Sequence, residues 1–147
     1  MSERRDPLLN YRYRVEIDGL VVAGFSEVTG LGSEIETEEF KEGGTGFVHR
    51  LPAGFKQSNI VLKKGMGLST DLIEWYQEVV KALRFGKPIP KSPNLYISLI
   101  DGEGRERVRF RITAAYPVKW SGPELKGSGS DVAIETIELV HEGMVVV

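Results

Sequence analysis

The side chains able to do chemistry are few, and their spacing is wrong for most of it. His49 and His141 are the only histidines, and neither has a second histidine four residues away to complete a zinc-binding helix face. There is no cysteine, which removes thiolate metal sites, thiol nucleophiles and disulfides. Gly24-Phe25-Ser26 lacks the later glycine of a serine nucleophile elbow. Glutamates are plentiful, but the pattern names no pair for glycoside hydrolysis. Gly43-Gly44-Thr45-Gly46 resembles a phosphate loop only superficially: no Lys-Ser/Thr and no helix follow, so it reads as a turn. Asp101-Gly102-Glu103-Gly104 is too short for a calcium loop and reads as a hairpin turn. No catalytic residue, metal ligand or cofactor site is expected.

One charged pattern stands out. Arg105, Arg107, Arg109 and Arg111 recur at every second position, which on a regular strand puts four guanidinium groups on one face. Arg12 and Arg14 repeat this on a smaller scale. Either the face is solvated, with glutamates such as Glu34, Glu36, Glu38, Glu135 or Glu138 as cross-strand partners, or it contacts a polyanion or lines a water-filled passage.

These residues must be held by strands and one helix. Residues 69–87 place Leu72, Trp75, Tyr76, Val79, Val80 and Leu83 on one helical face. Ser69, Thr70 or Asp71 can cap its start, and Gly86 with Pro88 can end it. The spacing predicts one helix over about residues 70–85, with Leu72, Trp75, Tyr76, Val79 and Leu83 as core anchors. The rest alternates like half-buried strands: 11–17, 20–28 after the Asp18-Gly19 hairpin turn, 34–40, 58–64, 94–101, 105–114 and 131–141. Gly24 marks a bulge or a close approach within its strand. The alternation slips between Ile134 and Ile137, which predicts either a bulge near Glu135-Thr136 or cover on both faces. Tyr116-Pro117 interrupts, and 118–120 is a short extended piece. Residues 126–131 read as a polar surface loop, and no role is assigned to the apolar tail 144–147.

Residues 1–10 read as an arm. Residues 41–55 read as a long structureless loop carrying Glu42, Gly43, Gly44, Phe47, Val48, Leu51 and Phe55. Loops of about fifteen residues are uncommon in a compact domain, and apolar side chains on one need cover. That cover is either another chain or a fold-back onto the same domain.

Composition fits a single domain. The 147 residues, 41% of them hydrophobic, can bury a core without staples. A net charge of −2 does not by itself recruit nucleic acid or an anionic membrane. No apolar run reaches a membrane span, and the opening MSERRDPLL lacks the apolar core of a secretory signal, so synthesis in a cytoplasm without a signal peptide is expected. The fold class is mainly β: an antiparallel β-sandwich or partly closed barrel with one flanking helix.

An ordered set of segments then carries a resemblance over residues 6–144. It runs through Asp6-Pro7-Leu8, Tyr11-Arg12-Tyr13-Arg14-Val15, Gly24-Phe25-Ser26-Glu27-Val28-Thr29-Gly30-Leu31 and Phe40-Lys41-Glu42-Gly43-Gly44. It continues through Asn59-Ile60-Val61-Leu62-Lys63-Lys64-Gly65, the Trp75 helix and Ala133-Ile134-Glu135-Thr136-Ile137-Glu138-Leu139-Val140-His141-Glu142-Gly143. In this the chain resembles the tail-tube proteins of contractile-tailed phages and phage-tail-like contractile injection systems, whose fold is similar to the type VI secretion tube protein. The resemblance implies a homo-hexameric ring stacking into a hollow tube of a virion tail or injection particle. The implied partners are a contractile sheath, baseplate and spike proteins, and tape-measure, DNA or protein cargo in the lumen, with no membrane. Residues 41–55 would then be an inter-subunit loop, and the arginine faces, or the acidic face of Glu34, Glu36 and Glu38, would line the lumen. The alternatives are a tube-initiator paralogue at the baseplate and a non-catalytic ligand-binding β-sandwich module.

Overall fold

The computed structural model describes residues 12–44, 46–66, 70–92, 94–123 and 133–147. The expected arm at 1–10 and the polar loop at 126–131 lie outside the described residues, as do Tyr11, Ser69, Asp131 and Val132.

Among the described residues, ten strands and one helix follow in the order β1 (Arg12–Ile17), β2 (Leu20–Thr29), β3 (Ser33–Lys41), β4 (Val48–Gln57), β5 (Ile60–Gly65), α1 (Asp71–Arg84), β6 (Leu95–Ile100), β7 (Glu106–Thr113), β8 (Tyr116–Ser121), β9 (Ile134–Val140) and β10 (Gly143–Val146). Eight of them make one antiparallel sheet, ordered β10-β7-β6-β1-β2-β5-β9-β8, and β3 pairs with β4 alone. The large sheet folds onto itself. Val15, Leu95, Ile97 and Ile112 from one half share a buried cluster with Phe25, Ile60, Leu62, Ile137 and Leu139 from the other, and Leu72 of α1 joins it. Both irregularities at the junction fall on β2. Against β1, residues 22–25 advance three positions for two, and against β5, residues 25–27 advance two for one. An extra residue bends and twists its strand, so β2 is where the sheet can turn over. Gly24, expected to mark a bulge or a close approach, lies in the first of these intervals, which makes it a bulge.

The two hairpins read from turn residues form as expected. Asp18 (φ 50°) and Gly19 (φ 87°) make the two-residue turn between β1 and β2. In the β6–β7 turn, the Gly104 amide donates to the Asp101 carbonyl at 3.0 Å. The Asp101 carboxylate accepts the backbone amides of Arg105 at 2.9 Å and Glu103 at 3.0 Å. The Arg105 amide bond, followed by that from Glu103, holds its pKa below the ordinary value despite some desolvation. A lowered carboxylate pKa stabilises the fold above the unfolded value (about 3.9) and loses that contribution as pH falls through the folded value.

Helix α1 ends as the sequence predicts. Gly86 takes a left-handed φ of 63° and the Lys87 amide donates back to the Ala82 carbonyl at 2.8 Å. At its start Thr70 Oγ1 donates to Glu74 Oε1 at 3.1 Å, not to a backbone group. The helix buries Leu72, Val79 and Ala82, with Trp75 half-buried and its Nε1 donating to the Pro90 carbonyl at 3.1 Å. Leu83 is corrected. It is 70% exposed, because the domain covers the Leu72–Val79–Ala82 side of the helix fully and the next row over only as far as Tyr76 and Val80, which are half-buried, leaving Leu83 in the last turn in water.

Four further expectations change. Residues 41–55 are not a structureless loop, since Val48–Gln57 is a ten-residue strand paired to β3 along its length. An extra residue at Ala53 breaks its alternation, and Pro52 is tolerated in a ribbon whose outer edges are open. Pro117 does not interrupt: it lies inside β8, an edge strand of the sheet, with the irregularity at Val118. The slip in β9 is neither a bulge nor cover on both faces. Pairing to β5 is regular from Ile134 to Leu139, Ile134 is exposed, and Glu135 points inward with Ile137 and Leu139. The tail is strand β10, on the edge beside β7.

Glu135 is 2% exposed and faces Lys64, 5% exposed, across the β5–β9 ladder. Lys64 Nζ is 3.6 Å from Glu135 Oε1, and Trp120 Nε1 donates to Oε2 at 3.0 Å. A buried carboxylate is tolerable when paired and hydrogen-bonded in this way.

Gly30 shows where the chain allows no side chain. Its φ is 87°, and an added Cβ would sit 1.9 Å from the Asn59 carbonyl oxygen. Gly30→Ala is expected to cost at least about 2 kcal/mol, from left-handed strain plus overpacking. Urea unfolding checks this; a loss below about 0.5 kcal/mol contradicts the close approach.

Candidate assembly surfaces

The β3–β4 ribbon leaves the body of the domain with a fixed root. The Ser58 amide donates to the Gly32 carbonyl at 3.3 Å, Gln57 Nε2 donates to the Glu142 carbonyl at 2.8 Å, and the His141 ring lies 3.1 Å from the Ser58 carbonyl. Beyond the root, every residue of β3 and all of β4 except Gln57 are exposed. Cross-strand ion pairs decorate it, Lys56–Glu36 at 3.0 Å and Arg50–Glu39 at 4.0 Å, and His49 Nε2 lies 3.4 Å from Glu42 Oε2. Glu36 and Glu39 of β3 thus find their partners within the ribbon and not on the arginine strand.

Register sorts the ribbon into two faces. Ile35 opposes Phe55, Thr37 opposes Pro52, Glu39 opposes Arg50 and Lys41 opposes Val48 on one. Glu34 and Lys56, Glu36 and Gly54, Glu38 and Leu51, and Phe40 and His49 share the other. Glu42, Gly43 and Gly44 form the tip, with Phe47 just after it. Ile35, Phe40, Phe47, Val48, Leu51 and Phe55 are each 47–71% exposed. Covering such side chains is worth on the order of 1–2 kcal/mol each, and an isolated two-stranded ribbon is marginal in water. Of these six, Ile35 and Phe40 lie outside the stretch that sequence patterning singled out.

The arginine row is broken by a bulge. Between the Leu99–Val108 and Ile100–Glu106 pairs, β7 carries the extra residue Arg107. One extra residue flips the alternation, so Glu106 before it and Arg109 and Arg111 after it face outward together. Arg105 precedes β7 and pairs with Asp101 and Glu103 in the turn. Four arginines on one regular face is therefore corrected to two, with Arg107 displaced at the bulge. Arg12 and Arg14 join Arg109 and Arg111 on this face, opposite Ile100 and Ser98. A polar network ties it together. Arg109 Nη2 donates to Glu16 Oε2 at 3.0 Å, and its guanidinium lies 3.9 Å from the Tyr96 ring centroid. Arg14 Nη2 lies 3.7 Å from Glu106 Oε1, which also accepts from the Ser98 hydroxyl. The partners are Glu16 and Glu106, not the glutamates proposed from sequence. Arg109→Ala is expected to cost about 1 kcal/mol, the range for a partly exposed ion pair and stack, read as a shift in urea midpoint.

The edges of the large sheet are β8 and β10. β10 and the residue after it expose Val145, Val146 and Val147, with no charged side chain to discourage pairing. Among the described residues no group of three His, Cys, Asp or Glu could hold a metal, and no helix is long and apolar enough to cross a membrane.

No curated protein matches the chain. In solved structures, similar chains occur in the sheath/tube terminator of PVC, an extracellular contractile injection system (22% identity, 99% of each chain, TM-score 0.81). Another is in the tube-terminating cap of the anti-feeding prophage (23% identity, 99% of this chain and 94% of that one, TM-score 0.82). Hcp1 from Flavobacterium johnsoniae shares the fold at 14% identity over 92% and 94% of the two chains, TM-score 0.64. The family model of the T4-like virus tail tube protein gp19 matches residues 9–145. With the β-rich fold, its single flanking helix and the uncovered ribbon in place, the chain belongs to the T4-like tail tube protein gp19 family.

Proposed function

We propose that the chain is a non-catalytic subunit of the inner tube of a contractile tail or injection particle, assembling as stacked hexameric rings around a conduit for DNA or protein cargo. The observation that carries this is the β3–β4 ribbon, rooted firmly in the domain and exposing six large apolar side chains that no other described residue covers. The edges β8 and β10, open among the described residues, supply backbone for pairing with neighbouring copies. The outward face of β1, β6 and β7, with Arg12, Arg14, Arg109 and Arg111 held among Glu16, Glu106 and Tyr96, is polar without being a core, as a water-filled lumen requires.

Sheath, baseplate and spike are the further partners, supported by the likeness to chains in structures of a sheath-tube complex and a baseplate. A second reading, a ring at one end of the tube, is favoured by the likeness to chains in terminator and cap structures. Native mass spectrometry of the purified chain separates these ideas. A six-fold multiple of 16.4 kDa supports the ring. A monomer at all accessible concentrations contradicts it, and hexamers that never stack favour the end-ring reading.

A further inference from the structure

The outward face of β1, β6 and β7 carries more positive charge than its own carboxylates neutralise. Two of its arginines are balanced: Arg109 Nη2 donates to Glu16 Oε2 at 3.0 Å, and Arg14 Nη2 lies 3.7 Å from Glu106 Oε1. Arg107 and Arg111 are exposed and make no ion pair among the described residues. Asp101 has its pKa lowered chiefly by the Arg105 amide and least by Arg107, so it does not occupy that guanidinium. Arg107 and Arg111 line one depression with Arg109, Tyr96 and Glu106, three guanidinium groups against one carboxylate. That carboxylate is already engaged by Arg14 and by the Ser98 hydroxyl. Arg109 is fixed against the Tyr96 ring with its Nε shut off from solvent. The middle guanidinium is therefore held in place, and the two flanking ones are free.

We propose that this depression holds acidic side chains of a protein passenger, an inference that rests on the reading of the face as the lumen of a tube. Charge complementarity selects an anion, and the surroundings select its kind. A nucleic acid brings a charge at every nucleotide, about 3.4 Å apart along each strand of a duplex. Glu16 and Glu106 on the same face oppose such a continuous run. Its bases also need an open aromatic ring to stack on, and the Tyr96 ring is covered by the Arg109 guanidinium 3.9 Å from its centroid. A protein surface instead offers separate carboxylates among apolar groups, and each guanidinium can meet one through two parallel N–H donors. The face has the matching pattern. Val145 stands opposite Arg111 and Val21 opposite Glu16, and both valines are exposed. Nucleic-acid interfaces are more uniformly polar and positive. Because the two free arginines are exposed, each contact is weak and screened by salt. Contacts of this strength restrain a passenger without trapping it.

Fluorescence anisotropy on the purified full chain tests this with three labelled probes of equal length: a peptide of glutamate, leucine and alanine, its lysine counterpart, and an oligothymidylate. At low salt the glutamate peptide is expected to bind about tenfold more tightly than either of the others, and to be released as salt rises. Arg107→Gln with Arg111→Gln is expected to weaken its binding about tenfold. Lys81→Gln with Arg84→Gln removes the same charge from exposed positions on α1 and is expected to change it less than about twofold. All four positions are exposed, so folding is preserved, and circular dichroism melts check it. No binding of the glutamate peptide overturns the site. An equal loss in the two double variants also overturns it, because net charge alone then accounts for the binding. An oligothymidylate that binds as tightly makes the face a nucleic-acid contact and overturns it too, as does displacement of the peptide by inorganic phosphate at constant ionic strength. Electron microscopy of the same samples separates the site from the tube. Rings or tubes without peptide binding overturn the site alone; binding without rings or tubes upholds the site and removes the lumen.

Discussion

Replacing Ile35 and Phe55 together by Glu and Lys is expected to abolish assembly while leaving the subunit folded. The two residues face each other on the apolar side of the ribbon and are both 66% exposed in the single chain. Substitutions at positions already in water change subunit stability by about 0.5 kcal/mol or less. In an assembly the same change places two charges where apolar surface must be covered, at several kcal/mol per contact. Multiplied around a ring, that is far more than a closed assembly tolerates. The measurement is paired: light scattering for mass, and thermal unfolding by circular dichroism for the fold. Monomers with a nearly unchanged Tm are expected. A variant that melts much earlier would mean that the ribbon belongs to the subunit's own core.

Glu135→Ala is expected to do the reverse and strike the fold itself. The substitution leaves Lys64 buried without its counter-charge and the Trp120 indole N–H without its acceptor. Breaking a buried pair from one side costs about 3–5 kcal/mol, which for a domain of this size lowers Tm by roughly 10 °C. Replacing both partners, Lys64→Met with Glu135→Leu, removes the stranded charge and is expected to recover at least half of the loss, with the orphaned indole accounting for much of the rest. Thermal melts of the three proteins test this. A single variant within about 1 kcal/mol of the parent contradicts a closed, paired carboxylate at the core.

These two sites also mark where sequence reasoning succeeds and where it stops. The helix was legible from end to end because its apolar spacing, Gly86 and Pro88 are local signals, and both hairpin turns were legible for the same reason. Its core face was not fully legible. Leu83 fits the apolar row as well as Ala82 does, and only the position of the sheet decides between them. Bulges were the main obscurity. The extra residue at Ala53 hid β4 by breaking its alternation, and the extra residue at Arg107 split an arginine row that looked continuous. A one-residue insertion into a ladder depends on the partner strand, and the sequence of one strand does not display it. Strand β10 was missed because four residues, Gly143–Val146, carry no periodicity to read. Glu135 was hidden by its type: an inward carboxylate is expected nowhere until the lysine opposite it is known. The apolar residues at 47–55 were recognised as wanting cover, but that Ile35 and Phe40 share the exposure follows only from pairing.

The assembly itself is visible by cryo-electron microscopy of the purified chain, alone and beside baseplate components. Six-fold rings that stack into a hollow tube are expected, with the β3–β4 ribbon buried between copies and polar strand faces toward the lumen. A protein that stays monomeric at high concentration and forms no rings or tubes on a baseplate template would contradict it.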